Sequence, residues 1–170
     1  MSIIGTGSVD GRLSDDQVSE IVASAAAGQK VDGKKVLVVI PDHTRTCPLP
    51  LVVRLLKKHL GARAAKLDFL IALGTHPPMS EDRIDSLIGI EPGKRGEVLG
   101  DSKVFNHLWK EPGALAHVGT LPAAKIDEIT GGLFSMDVEV TVNKMVLDYD
   151  LTMIVGPVFP HEVVGFSGGA

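Results

Sequence analysis

Lys34-Lys35-Val36-Leu37-Val38-Val39-Ile40-Pro41-Asp42-His43-Thr44-Arg45 is the stretch on which the fold turns. Its apolar run, Val36 to Ile40, does not alternate with polar residues, as expected of a parallel strand buried on both faces. The run ends in a polar loop. Leu49, Val52, Val53, Leu56 and Leu60 then recur at helical spacing with Lys57 and Lys58 opposite, and Gly61 closes the helix. Pro48 and Pro50 suit its first turn, where no amide donor is needed.

The unit repeats downstream. Leu67 to Leu73 reads as a second buried strand, ending at Gly74-Thr75-His76-Pro77-Pro78. Ser80 is expected to cap a short helix, with Glu81 and Asp82 near its positive end. Upstream, Ser14-Asp15-Asp16-Gln17 spells a capping box ahead of Val18, Ile21, Val22 and Ala25, and Gly28 is a natural stop. Residues 89–113 break the rhythm with repeated Gly and Pro, and a short helix is expected near Asn106–Trp109. Leu115–Leu121 and Val138–Val142 read as strands with a weak helix or turn between them, and Leu151 to Val155 as another buried strand. The βαβα order implies an α/β fold, Rossmann-like, with a mostly parallel sheet, right-handed crossovers and flanking helices. Residues 1–170 are read as a single α/β domain, with no repeat or linker.

Composition narrows the function. Hydrophobic residues make up 44% and charged residues 22%, with a net charge of -4. Nothing there offers a basic footprint for nucleic acid or an anionic membrane. No apolar run reaches the length of a spanning helix, and Met1-Ser2-Ile3-Ile4-Gly5 lacks the basic region and long apolar core of a signal peptide. The one cysteine, Cys47, forms no internal disulfide, so a cytoplasmic setting is expected. Cys47 itself reads as a small packed residue.

Three strands end in loops carrying a histidine: His43, His76 and His161. In a parallel sheet those carboxyl ends lie on one edge, where open α/β sheets bind ligands. Histidine suits proton transfer near neutral pH, although each could equally serve its own loop. In Asp42-His43-Thr44-Arg45, Arg45 could grip a carboxylate or phosphate in a bidentate fork, and Asp42 could orient it or a histidine. The alternative is an ordinary turn with Asp42 as a cap. Ser167-Gly168-Gly169 offers amides and a hydroxyl to a phosphate, without matching a P-loop or dinucleotide fingerprint. His59 reads as a solvated or helix-end charge, and His107 and His117 carry no assignment. No self-contained metal motif is present.

Four segments together resemble the N-terminal domain of the nickel-dependent lactate racemase family: Pro41-Asp42-His43-Thr44-Arg45, Ala72-Leu73-Gly74-Thr75-His76, Val142-Asn143-Lys144, and the run from Gly156 to Gly169 containing Pro160-His161-Glu162 and Ser167-Gly168-Gly169. The resemblance implies the N-terminal part of a larger two-domain enzyme that racemises or epimerises 2-hydroxy acids with a nickel-pincer nucleotide. It implies proton-coupled hydride transfer, with His76 and His161 as the two bases. Asp42, His43, Thr44, Arg45, Ser167, Gly168 and Gly169 are implied in substrate or cofactor binding. A cofactor-bonding lysine and a nickel-ligating histidine are expected beyond Ala170, so no metal ligand is expected within this chain. The fragment alone is expected to be inactive and incomplete at its C-terminal end. Its expected partners are a small 2-hydroxy acid and a C-terminal domain, with self-association compatible with an exposed apolar patch. Thr46-Cys47 stand where the family pattern leads one to expect a proline.

Two other classes compete. A nucleotide- or phosphate-binding α/β module would use the same loops without catalysis. A hydrolase would use a histidine and Asp42 with an external metal. A role confined to interdomain or subunit packing is a third reading.

Overall fold

The computed structural model describes residues 3–7, 9, 11–162 and 165–168. Helix α1 (Asp15–Ala27) starts at the capping box: Ser14 Oγ accepts from the Gln17 amide at 3.2 Å, and Gln17 Oε1 accepts from the Ser14 amide at 2.8 Å. Strand β1 (Lys35–Pro41), helix α2 (Leu49–Leu60) and strand β2 (Lys66–Ala72) follow as the apolar patterns require. Helix α3 (Glu81–Ile88) comes next. Ser80 holds its N-cap position, but its hydroxyl makes no capping bond, contrary to expectation. The first turn is held instead by Arg95, whose guanidinium meets the Glu81 carboxylate, the Glu81 carbonyl at 2.9 Å and Asp85 at 2.6 Å.

The irregular segment also departs from the expectation. Its helix is α4 (Arg95–Leu99); the chain then runs as strand β3 (Val104–Asn106), and no helix forms over Asn106–Trp109. Pairing decides this: Val104, Phe105 and Asn106 align with Phe69, Leu70 and Ile71 of β2. Strand β4 (Leu115–Leu121), helix α5 (Ala123–Thr130), strand β5 (Val138–Asn143), helix α6 (Met145–Asp148) and strand β6 (Leu151–Ile154) lead to a hairpin of β7 (Phe159–His161) and β8 (Gly165–Ser167).

The main sheet has the order β3-β2-β1-β6, every neighbouring pair parallel. β4 and β5 form a separate antiparallel pair, bulged between His117 and Gly119. Alternation along the parallel strands sorts the side chains. Val36, Val38, Ile40, Leu67, Phe69 and Ile71 face α1–α3 and join Ala26, Val53, Leu56, Leu60, Ile84 and Ile88 in one core. Leu37 and Leu70 are buried on the second face. Cys47 packs against the core, and burial pushes its thiol pKa up, as fits a small packed residue.

Among the described residues, every buried apolar side chain lies between Ala26 and Leu99. Later residues contribute partly buried side chains such as Val104, Leu151 and Met153. Polar links do more of the work there. Asp68, buried on the second face, accepts from Tyr149 Oη at 2.5 Å, Lys66 Nζ at 2.7 Å and the Lys103 amide at 2.8 Å. The Lys35 amide donates to Asp150 at 2.8 Å. His59 was expected on a solvated face, yet its Nε2 is buried without a partner. No helix among the described residues is long and apolar enough to cross a membrane.

Candidate active site

The order of the parallel sheet reverses at β1, with β2 and β3 on one side and β6 on the other. The carboxyl ends of β1 and β6 therefore flank a topological switch, the usual place for a ligand crevice in such sheets. A cavity of about 400 Å³ opens there, bordered by Asp42, Thr44 and Arg45 after β1, by Thr75 and His76 after β2, and by Pro157, Ser167 and Gly168 after β6. That volume lies in the roughly 300–1,000 Å³ range of small-molecule sites.

Asp42 organises the site. It follows the last residue of a buried strand, and its side chain is 3% exposed. One carboxylate oxygen accepts from the Thr44 amide at 3.0 Å and the Thr44 hydroxyl at 2.6 Å. The other lies 2.6 Å from His76 Nδ1. Burial by itself would raise the Asp42 pKa, but hydrogen bonds from Thr44 and His76 together outweigh it and hold the carboxyl below its usual range. A carboxylate on Nδ1 places that proton there and leaves Nε2 as the basic nitrogen. His76 itself is half exposed. Its loop turns at Gly74, where φ is +58°, and the His76 amide donates to Leu73 at 2.9 Å. Gly74 supplies a left-handed conformation that other residues adopt only at a cost.

Arg45 Nη1 donates to the Thr44 hydroxyl at 3.2 Å, and its guanidinium lies 5.3 Å from the centre of the Phe159 ring. The β1 loop and the β7–β8 hairpin are thereby tied together. Gly168 makes the tightest approach: a Cβ there would stand 2.1 Å from the Pro157 carbonyl oxygen, and its φ is +81°. Only glycine lets the hairpin close against Pro157 in this way.

Asp42, Thr44, Arg45, His76, Ser167 and Gly168 thus border one cavity. His43 borders a different depression, with Arg45, Met79 and Arg83. His161 lies on β7 opposite Gly165, its Nδ1 3.8 Å from the Glu162 carboxylate, and is not part of the cavity lining. Gly169 lies outside the described residues. His117 is exposed on β4, 3.2 Å from the Thr120 hydroxyl. Among the described residues, no group of three His, Cys, Asp or Glu side chains could hold a metal ion.

The sequence reading missed a second polar cluster beside the cavity. His107 Nδ1 lies 2.8 Å from Asn143 Nδ2. Asn106 accepts from the Met79 amide at 3.0 Å and donates to the Met79 carbonyl at 2.9 Å. The one signal for it was the Val142-Asn143-Lys144 segment, which carried no assigned role.

Comparison with known proteins agrees with this fold. The family model described as the lactate racemase N-terminal domain matches residues 15–170. A lactate racemase from Thermoanaerobacterium thermosaccharolyticum is 28% identical over 174 residues, covering 96% of this chain. A crystal structure of a Thermotoga maritima protein superimposes with a TM-score of 0.77 at 33% identity, covering 92% of this chain. The chain spans 36% of the length of each of these two relatives.

Proposed function

The chain belongs to the lactate racemase N-terminal domain family, and from that premise we propose that it forms the base-bearing part of a 2-hydroxyacid racemase or epimerase. The observation that carries this reading is the 2.6 Å contact between buried Asp42 and His76 at the mouth of the strand-end cavity. A module that only gripped phosphate would have no need of a buried carboxylate aimed at an imidazole.

On this reading His76 Nε2 takes the hydroxyl proton of the substrate. Asp42 holds the ring in the correct tautomer and stabilises the imidazolium that forms. Arg45 forks onto the substrate carboxylate, its orientation set by Thr44 and Phe159. We assign His161 to the second base by family resemblance, for the opposite face of a planar keto acid. We assign His43 to the binding loop on the same ground.

The residues present fit the phosphate end of a nickel-pincer nucleotide. Ser167 and Gly168 border the cavity of about 400 Å³, and Gly168 lets the hairpin close on Pro157. When bound, such a group supplies the acceptor for the C2 hydride. Ser167 would hold its phosphate, with Gly169 two places on in sequence, while Thr44 borders the same cavity with its amide and hydroxyl donors engaged by Asp42. The reading assigns turnover to a full-length racemase chain in a cytoplasmic setting, and these 170 residues alone are inactive.

The test is interconversion of D- and L-lactate, and of other 2-hydroxy acids, by the cofactor-loaded full-length protein, followed by chiral chromatography. His76→Ala is expected to lower kcat by about 10²- to 10⁴-fold, the usual contribution of a general base. Nucleotide binding with no turnover of any 2-hydroxy acid would instead favour the non-catalytic module. Full activity in His76→Ala would overturn the assignment of the base.

A further inference from the structure

A second cavity, of about 220 Å³, adjoins the first, and Thr75 and His76 form a wall of both. Its other walls are Pro77 and Pro78 on one side and His107, Leu108 and Trp109 on the other. Whole small-molecule sites run from roughly 300 Å³ upward, so this space suits a substituent of a ligand. The walls are pinned. Asn106 clamps the Met79 backbone in both directions, and the His107 amide donates to Ile71 at 3.3 Å.

The chemistry of the cavity follows from Asn143. Its Oδ1 accepts from the Met145 amide at 2.9 Å, so its Nδ2 faces His107. An amide nitrogen can only donate. His107 Nδ1 is therefore the bare acceptor, and the ring proton sits on Nε2. Nε2 has no hydrogen-bond partner among the described residues and is not buried. His107 thus lines the cavity with its N–H donor on an unburied nitrogen. Lys110 and Glu111 also border it, and their opposite charges leave no net charge to favour a second carboxylate.

We propose that this cavity is the subsite for the C2 substituent of the 2-hydroxy acid, and that His107 sets specificity by donating from Nε2 to an uncharged oxygen on that substituent. The substrate class is then a 2-hydroxy acid with a further hydroxyl or carbonyl group on its side chain, with its carbon skeleton against Trp109, Leu108 and the two prolines. The substrate assignment rests on the function proposed above, whereas the state of the His107 ring does not. A donor built to meet a substrate oxygen discriminates against an analogue that lacks it. Asn143 is a positioning residue, which gives the Val142-Asn143-Lys144 segment a role.

Two measurements test this. Long-range ¹⁵N–¹H correlation spectra of this chain at neutral pH should show His107 as the Nε2–H tautomer. Asn143→Asp, which can only accept, should switch it to Nδ1–H. An Nδ1–H ring in the unmodified chain would overturn the donor assignment. In the cofactor-loaded full-length protein, the ratio of kcat/KM for 2-hydroxy-4-oxopentanoate, whose ketone can only accept, to that for 2-hydroxypentanoate should fall about three- to tenfold in Asn143→Asp, the worth of one neutral hydrogen bond. An unchanged ratio with both acids turned over would overturn the subsite and leave the proposed function standing. No turnover of any 2-hydroxy acid, in a protein shown to carry its cofactor, would overturn the function and the substrate assignment with it.

Discussion

Replacing Asp68 should separate the contribution of a buried polar staple from that of the apolar core. Asp68 is 0% exposed and accepts from Tyr149 Oη, Lys66 Nζ and the Lys103 amide. It joins β2 to the segment entering β3 and to the residue two places before β6. Lys66 is 44% exposed, so it regains water when its partner is removed, and that pair counts for little. Tyr149 and the Lys103 amide are the costly partners, because hydrogen bonds to a charged group contribute about 1.5–3 kcal/mol each. Asp68→Ala should therefore destabilise by about 3–5 kcal/mol, the range for breaking a buried polar pair. Asp68→Asn keeps an acceptor for Lys103 and should cost about half as much. Tyr149→Phe should cost about 1.5–3 kcal/mol, as one such bond is lost. Urea unfolding followed by far-UV circular dichroism measures each value. With a slope near 2 kcal/mol/M, the alanine variant should shift the midpoint by about 1.5–2.5 M. An Asp68→Ala loss below about 1 kcal/mol would refute the reasoning and show that water accepts from all three donors in its place.

Acid should act through the same groups. Asp42 and Asp68 both have pKa values lowered on folding: burial opposes this, and hydrogen bonds and, at Asp68, the Lys66 charge overcome it. A lowered folded pKa gives stability that is fully present above the unfolded value of about 3.9 and is lost as pH falls through the folded value. Urea midpoints should hold steady from pH 7 to 5 and drop below about pH 4, with a shallower drop in Asp68→Asn; a parallel drop would assign the acid effect elsewhere. Gly168→Ala puts a Cβ 2.1 Å from the Pro157 oxygen at a φ of +81°, so amide shifts should move around Pro157 and Ser167. An unmoved spectrum would show that the hairpin does not close there. Phe69→Ala, at a fully buried core position, should cost about 3–5 kcal/mol in the same urea assay, and a smaller loss would mean that the core relaxes into the space.

The parallel core was legible because burial on both faces leaves a continuous apolar run, while the helix above it leaves a 3.6-residue period. Those local patterns placed β1, α2, β2 and the capping box of α1 from the residues alone. They failed where pairing overrides local preference. Val104–Asn106 has little strand signature of its own and is extended because β2 offers it an open edge. Ser80 has the composition of a cap, but its hydroxyl is not used as one.

The site divides in the same way. The sequence by itself determined that polar, histidine-bearing loops follow buried strands, and its motifs carried the family resemblance, since both reside in contiguous residues. Only the tertiary structure decided which of those loops meet. The order β3-β2-β1-β6 sets the loop after β1 against those after β2 and β6, brings Asp42 to His76, and leaves His43 beside a different depression. It also decided that Asn143, 36 positions along the chain, lies against the His107 ring. Hydrogen bonds between distant segments depend on strand order and register, and neither is written in any local stretch of residues.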